Sequence, residues 1–90
     1  MIQYTRHPDL RLIALEGEGI VLHLGTRRYY SVSESGLDLL EALLTPRTMD
    51  ELVGVLTAKY AVSVADAEAA TRAFVEQGRR SGLLTVEDQA

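Results

Sequence analysis

A chain of 90 residues, 47% hydrophobic, has room for one small domain and one core, but not for a core plus a deep enclosed active-site cavity. With no cysteine it has no disulfide, thiolate metal site or thiol nucleophile, and His7 and His23 lack metal-ligand spacing. A net charge of −4 argues against a nucleic-acid partner, since domains that bind one concentrate a basic excess on one face.

No charged and then apolar segment opens the chain, and no apolar run reaches spanning length. The expectation is a cytoplasmic protein with no membrane contact. Met1 to Asp9 shows little periodicity and predicts an irregular lead-in. Leu10 to Glu16 alternates as a strand, with Leu10, Leu12 and Ala14 on one face. Glu16 to Gly19 predicts a turn, and Ile20 to Leu24 a second strand whose strongest apolar face is Ile20, Leu22 and Leu24. A turn at Gly25-Thr26 leads to Arg27-Arg28-Tyr29-Tyr30-Ser31-Val32-Ser33, whose aromatic and β-branched centre is strand composition.

The register of this hairpin follows from which side chains must be inside. A two-residue loop would set Leu22 opposite Tyr29 and turn Val32 outward with Val21. A three-residue loop sets Leu22 with Arg28 and Ile20 with Tyr30, and keeps Val32 inside. Val32 immediately precedes a helix cap, where an apolar residue packs back onto the helix, so the odd loop is expected. Tyr29 and Ser31 then point away from the core.

Ser33 is the N-cap of a helix over about Glu34 to Leu44, with Leu37, Leu40 and Leu44 on one face and Leu39 and Leu43 beside it. Pro46 breaks it. Thr48 and Glu51 form a capping box opening a helix to about Tyr60 that buries Leu52, Val55 and Leu56. Ser63 opens a third helix to about Arg80, with Gly82 at its C′ position and Leu83-Leu84 returning to the core. Glu87 to Ala90 is expected to fray. The third helix is rich in small residues, and its side carrying Ala67, Ala70 and Thr71 beside Phe74 lacks the Leu or Ile of an ordinary buried face. That stripe either touches other backbone inside the fold or leaves a shallow groove.

The fold class that follows is α+β: a three-stranded antiparallel sheet, then three helices, in the manner of a winged helix-turn-helix with wing and helices reordered. If the last strand ends the sheet, its outer edge is either a liability to be blunted or a rail for a peptide strand. No catalytic motif is present. Ser33-Glu34-Ser35-Gly36 lacks the glycine-flanked serine elbow, and Gly17 and Gly19 lie in a hairpin instead of a phosphate loop. Glu34, Asp38 and Glu41 read as a solvated helix face. The chain is expected to be no enzyme and to hold no cofactor or metal. On the third helix Asp66, Glu68 and Glu76 oppose phosphate binding.

The run Gly25 to Gly36, with Leu39-Leu40, Leu43-Leu44, Pro46-Arg47-Thr48, Glu51-Leu52, Leu56, Tyr60, Ala73-Phe74-Val75 and Gly82-Leu83-Leu84, resembles PqqD-like proteins, the precursor-recognition elements of ribosomally made, modified peptides. The resemblance covers about residues 10 to 86 of a single domain spanning 1–90. Within it, the chain is most similar to the small leader-binding proteins of lasso-peptide biosynthesis. These capture the precursor's leader peptide and deliver it to a leader peptidase of the transglutaminase-like cysteine protease type. The resemblance implies a leader added antiparallel to the third strand along Arg28 to Val32, with Arg27 at its start. The wall would be Ala67, Ala70, Thr71 and Phe74, and a leader Tyr and Pro would serve as anchors. Ser33 stands where the family usually has Asn, a tolerable exchange of caps. Gly78 replaces a large apolar residue, so the lower end of the third helix is expected to be looser or its groove deeper. Alternatives are a pyrroloquinoline-quinone-type chaperone serving a radical enzyme, a winged-helix DNA regulator, and a dimer module paired through the same edges.

Overall fold

The structure is a computed structural model that describes residues 1–88. Its elements are β1 (Ile2–Arg6), β2 (Leu10–Leu15), β3 (Glu18–His23), β4 (Arg28–Ser33), α1 (Glu34–Ala42), α2 (Met49–Lys59), α3 (Val64–Arg80) and β5 (Leu84–Asp88). The α+β class holds: β2, β3 and β4 form a three-stranded antiparallel sheet in that order, followed by three helices.

The helices start where capping side chains predict. Ser33 Oγ accepts the Gly36 N–H at 3.1 Å, and Ser63 Oγ accepts the Asp66 N–H at 3.1 Å. Thr48 and Glu51 satisfy one another's backbone N–H groups at 3.2 and 2.9 Å, closing the capping box. Gly82 takes φ 74°, which lets the Leu83 N–H reach back to the Gly78 carbonyl at 2.8 Å and turns Leu83 and Leu84 into the core. α1 ends two residues earlier than expected, leaving Leu44 exposed.

Two expectations need correction at the chain's ends. Met1 to Asp9 is no irregular lead-in, because β1 pairs antiparallel with β5, Ile2 opposite Asp88 and Arg6 opposite Leu84. Glu87 and Asp88, assigned to a fraying tail, belong to that ladder; residues 89 and 90 lie outside the described residues. β1 also ties itself to the α1–α2 loop, with Tyr4 and Arg47 exchanging backbone bonds at 2.7 and 2.9 Å.

The inner face of the sheet is also not the expected one. Gly19, Val21 and His23 point inward, and Leu24 is exposed. The ladder sets Leu22 opposite Tyr29 and Val21 opposite Tyr30, the pairing of the even loop. Val32 still faces inward, opposite Gly19. The reason is packing: a Cβ on Gly19 would lie 3.0 Å from both Leu37 methyl carbons, so α1 approaches the sheet over a residue without a side chain. His23 is accommodated inside because its Nδ1 accepts the Thr26 N–H at 3.2 Å and its ring lies 4.4 Å from that of His7. Beneath the sheet, Leu39, Leu40, Leu43, Leu52 and Leu84 are fully buried with Val21. The outer face keeps Ile13, Leu15 and Tyr29 in solvent.

Candidate functional site

Among the described residues, β4 has β3 on one side and no strand on the other. Alternate N–H and C=O groups of its outer edge are therefore open to a further strand. The described part of the chain's tail does not take that place, because β5 pairs with β1. Along the strand the side chains alternate: Arg28, Tyr29 and Ser31 are exposed, Tyr30 and Val32 half-buried. Tyr29 is 73% exposed, although it is a large aromatic ring, whereas Tyr30 packs against the core and its hydroxyl donates to the Ser81 carbonyl at 3.4 Å. That contact ties the strand to the end of α3.

Three hollows border β4. Near its Ser33 end, a cavity of about 320 Å³ is lined by Leu56, Tyr60, Val62, Ala67 and Ala70, with Ser33, Glu34, Ser35 and Asp66 at its polar rim. Midway, about 210 Å³ opens between Tyr30 to Ser33 and the Phe74, Gln77, Gly78 and Ser81 side of α3, with Leu83. At the Arg28 end, about 300 Å³ is bordered by Leu22, His23, Leu24, Arg27 and Tyr29. The first two share Ser33 in their linings and together make up the apolar groove, here the channel, beside an open strand edge, a geometry suited to an extended peptide with side chains set into pockets.

Close packing shapes the channel. A Cβ on Gly36 would meet the Phe74 ring at 2.9 Å, so α1 begins against the Phe74 face. A Cβ on Gly78 would meet Leu84 Cδ2 at 2.9 Å. The space left by the small residue is thus filled on one side by β5 and opens into the middle hollow on the other.

The wall expected on α3 is divided. Ala67 and Ala70 line the larger hollow and Phe74 the middle one. Thr71 is fully buried, with its Oγ1 donating to the Ala67 carbonyl at 2.7 Å, and it borders neither. The small-residue stripe is therefore split: Thr71 is buried inside the fold, and Ala67 and Ala70 line the larger hollow. Sequence reasoning missed Leu56, Tyr60, Val62, Gln77, Ser81 and Leu83 as channel residues. Leu56, Tyr60 and Leu83 stood out only as core or family positions, and nothing local distinguishes the rest.

The electrostatics differ from end to end. At the Ser33 end Tyr60 donates a short hydrogen bond to Asp38, and Lys59 Nζ lies 2.9 Å from the same carboxylate. Burial pulls Asp38 upward, but the bonds from Tyr60 and Lys59 outweigh it and hold the carboxyl below its ordinary range. The same hydrogen bond, with desolvation and nearby acids, pushes the Tyr60 hydroxyl up to about 12. On α3, Arg72 pairs with Glu68, and Arg79 and Arg80 with Glu76. That helix offers phosphate no unpaired guanidinium. Among the described residues no His, Cys, Asp and Glu cluster suits a metal ion, and no helix is long and apolar enough to cross a membrane.

Among curated proteins none matches the chain. Two solved structures share its fold over nearly the whole length. One is TbiB1 in complex with the TbiA(beta) leader peptide, 23% identical, covering 96% of this chain and 98% of that one, with a TM-score of 0.76. The other is a lasso peptide synthetase B1 complexed with the leader peptide, 18% identical, covering 91% and 96%, with a TM-score of 0.73. Residues 18–84, from the start of β3 through the first residue of β5, match the family described as Coenzyme PQQ synthesis protein D, and the chain belongs to that PqqD family.

Proposed function

We propose that this chain is a non-catalytic recognition element that captures the leader of a ribosomally made precursor peptide and presents it to a separate leader peptidase, of the transglutaminase-like cysteine protease type, in lasso-peptide maturation. The observation that carries the reading is the open outer edge of β4 beside the channel against α3. The leader would add antiparallel along Arg28 to Val32, with Arg27 at its end and apolar side chains set against Ala67, Ala70 and Phe74. Thr71 would act from behind this wall by fixing the α3 backbone. The two solved relatives hold leader peptides, which supports the same use of the same fold. About four to six main-chain bonds at ~0.5–1.5 kcal/mol net each, together with the apolar anchors, offset the cost of ordering a disordered leader. The expected dissociation constants run from about micromolar to tens of nanomolar.

The family description favours one second reading, a chaperone handing its peptide to a radical enzyme of pyrroloquinoline-quinone synthesis. Both readings share the binding step and differ in the recipient. Isothermal titration with the leader of the precursor encoded beside the chain tests the binding step. Tyr29→Ala should weaken it with an unchanged fold, and equal affinity would remove the edge from the account. Co-purification of the complex with the neighbouring peptidase or radical enzyme separates the two recipients.

A further inference from the structure

The cations of this protein are almost all occupied. Lys59, Arg47, Arg72, Arg79 and Arg80 pair with carboxylates, and the guanidiniums of Arg6 and Arg11 donate to backbone carbonyls. Arg27 and Arg28 do neither. Both are exposed, both border the hollow at the start of β4, and no ion pair joins either to an acid among the described residues. Asp9 sits close by, since its Oδ2 would lie 3.0 Å from a Cβ on Gly25, yet it forms no bridge to them. Arg27 also holds φ 60°, a left-handed backbone that is unfavourable for an ordinary L-residue and that Gly or Asn adopts more cheaply. The opposite end of the edge carries the other sign. There Lys59 pairs with Glu34 and Asp38, Glu34 and Asp66 stand at the rim of the larger hollow, and the N-termini of α1 and α3 offset part of the negative charge.

We propose that this charge order sets the direction and register of the bound peptide, an inference that rests on the strand-addition reading. A strand antiparallel to β4 places its C-terminal end beside Arg27 and Arg28 and its N-terminal end beside Glu34 and Asp66. The peptide this edge selects carries an Asp or Glu at the C-terminal end of its extended segment and none at the N-terminal end. About six residues of peptide cover the strand, so the acid follows the apolar anchors by about that spacing. A peptide entering in the opposite direction would bring its acid to the carboxylate end, where like charges repel.

The test is selection of random display peptides of about twelve residues, twice the length needed to cover β4, on the immobilised protein at low salt. The proposal expects enriched peptides with an acid on the C-terminal side of an alternating apolar segment. For a selected peptide, Arg27→Gln with Arg28→Gln should lower affinity about three- to tenfold at low ionic strength, and high salt should erase the difference. Arg27→Asn, suited to the left-handed backbone, should lose part of that affinity with a melting temperature at or above that of the parent protein. Changing the peptide's acid to its amide should cost as much as the double substitution, and should add nothing in the doubly substituted protein. Selected peptides that Ser31→Pro excludes, but that carry acids elsewhere or bind the Gln variant equally, overturn the charge rule and leave strand addition standing. Peptides that bind Ser31→Pro as they bind the parent protein, or no enrichment, overturn both.

Discussion

β2 and β4 are both outer strands of one sheet, each bonded to β3 on one side only, yet they are finished differently. The start of β2 is closed by the preceding turn: the Leu10 N–H donates to the His7 carbonyl and the Leu24 N–H to the Asp9 carbonyl. Arg11 folds its guanidinium back onto the Leu10 and Pro8 carbonyls. None of the three hollows described above draws a residue from β2. β4 has the reverse treatment, with a channel against α3, an exposed Tyr29 and two unengaged guanidiniums. An edge strand becomes a binding surface when a second wall stands beside it and its charges are left available. β2 meets neither condition.

The largest effect should come from attacking one edge and sparing the other. Ser31→Pro removes an N–H and places a ring in the path of an added strand. It should weaken leader binding by about 100-fold or more, the equivalent of losing two or more main-chain bonds with their neighbours, as read by isothermal titration. In the same comparison, leader should slow amide hydrogen exchange along Tyr29 to Ser33 and leave Leu10 to Leu15 unchanged. Protection of β2 would mean that the edges have been assigned the wrong way round. A smaller loss, about tenfold, is expected from Gly36→Ala, because the new methyl must displace the Phe74 ring that faces the channel. Its thermal unfolding should fall as well, which distinguishes it from Tyr29→Ala, where only binding falls.

Two further changes act away from the strand. Thr48→Ala removes the capping box of α2 and should cost about 1 kcal/mol of stability by denaturant unfolding, with leader affinity unaltered. The Tyr60–Asp38 pair gives a pH signature. A tyrosine raised when folded keeps its proton longer there than in the unfolded chain. Its contribution is complete below the ordinary tyrosine range and is lost as pH rises toward about 12. Asp38, lowered when folded, contributes above the unfolded carboxylate range and loses that contribution as pH falls through its folded value. Tyr60 should ionise late in an absorbance titration, and Tyr60→Phe should abolish that late step.

Much of this site was legible in the chain because its signals are local. The caps at Ser33, Thr48 and Ser63, the C-terminal Gly82 and the alternation of Tyr29 with Tyr30 each depend on neighbours within a few positions. Two features were not legible. The inward face of β3 is Gly19, Val21 and His23, less apolar than the alternative with Ile20 and Leu22. It wins because Leu37 needs the vacancy over Gly19, a relation between residues eighteen positions apart. The pairing of β1 with β5 joins the two ends of the chain, and Ile2 to Arg6 carries no periodicity strong enough to announce it. The channel's far wall was missed for the same cause: Leu56 and Val62 reach it through the packing of α2 against α3.

The orientation of β1 against β5 has a mechanical consequence. Ile2 lies opposite Asp88 and Arg6 opposite Leu84, so tension drawn between the two termini loads the ladder one rung at a time, as in opening a zipper, instead of shearing all rungs together. Under a stretching force this clasp should give way first. Its release would free the Tyr4–Arg47 knot and then the seat of Leu84 over Gly78, so a pull on the chain ends would reach the floor of the channel before it reached β4.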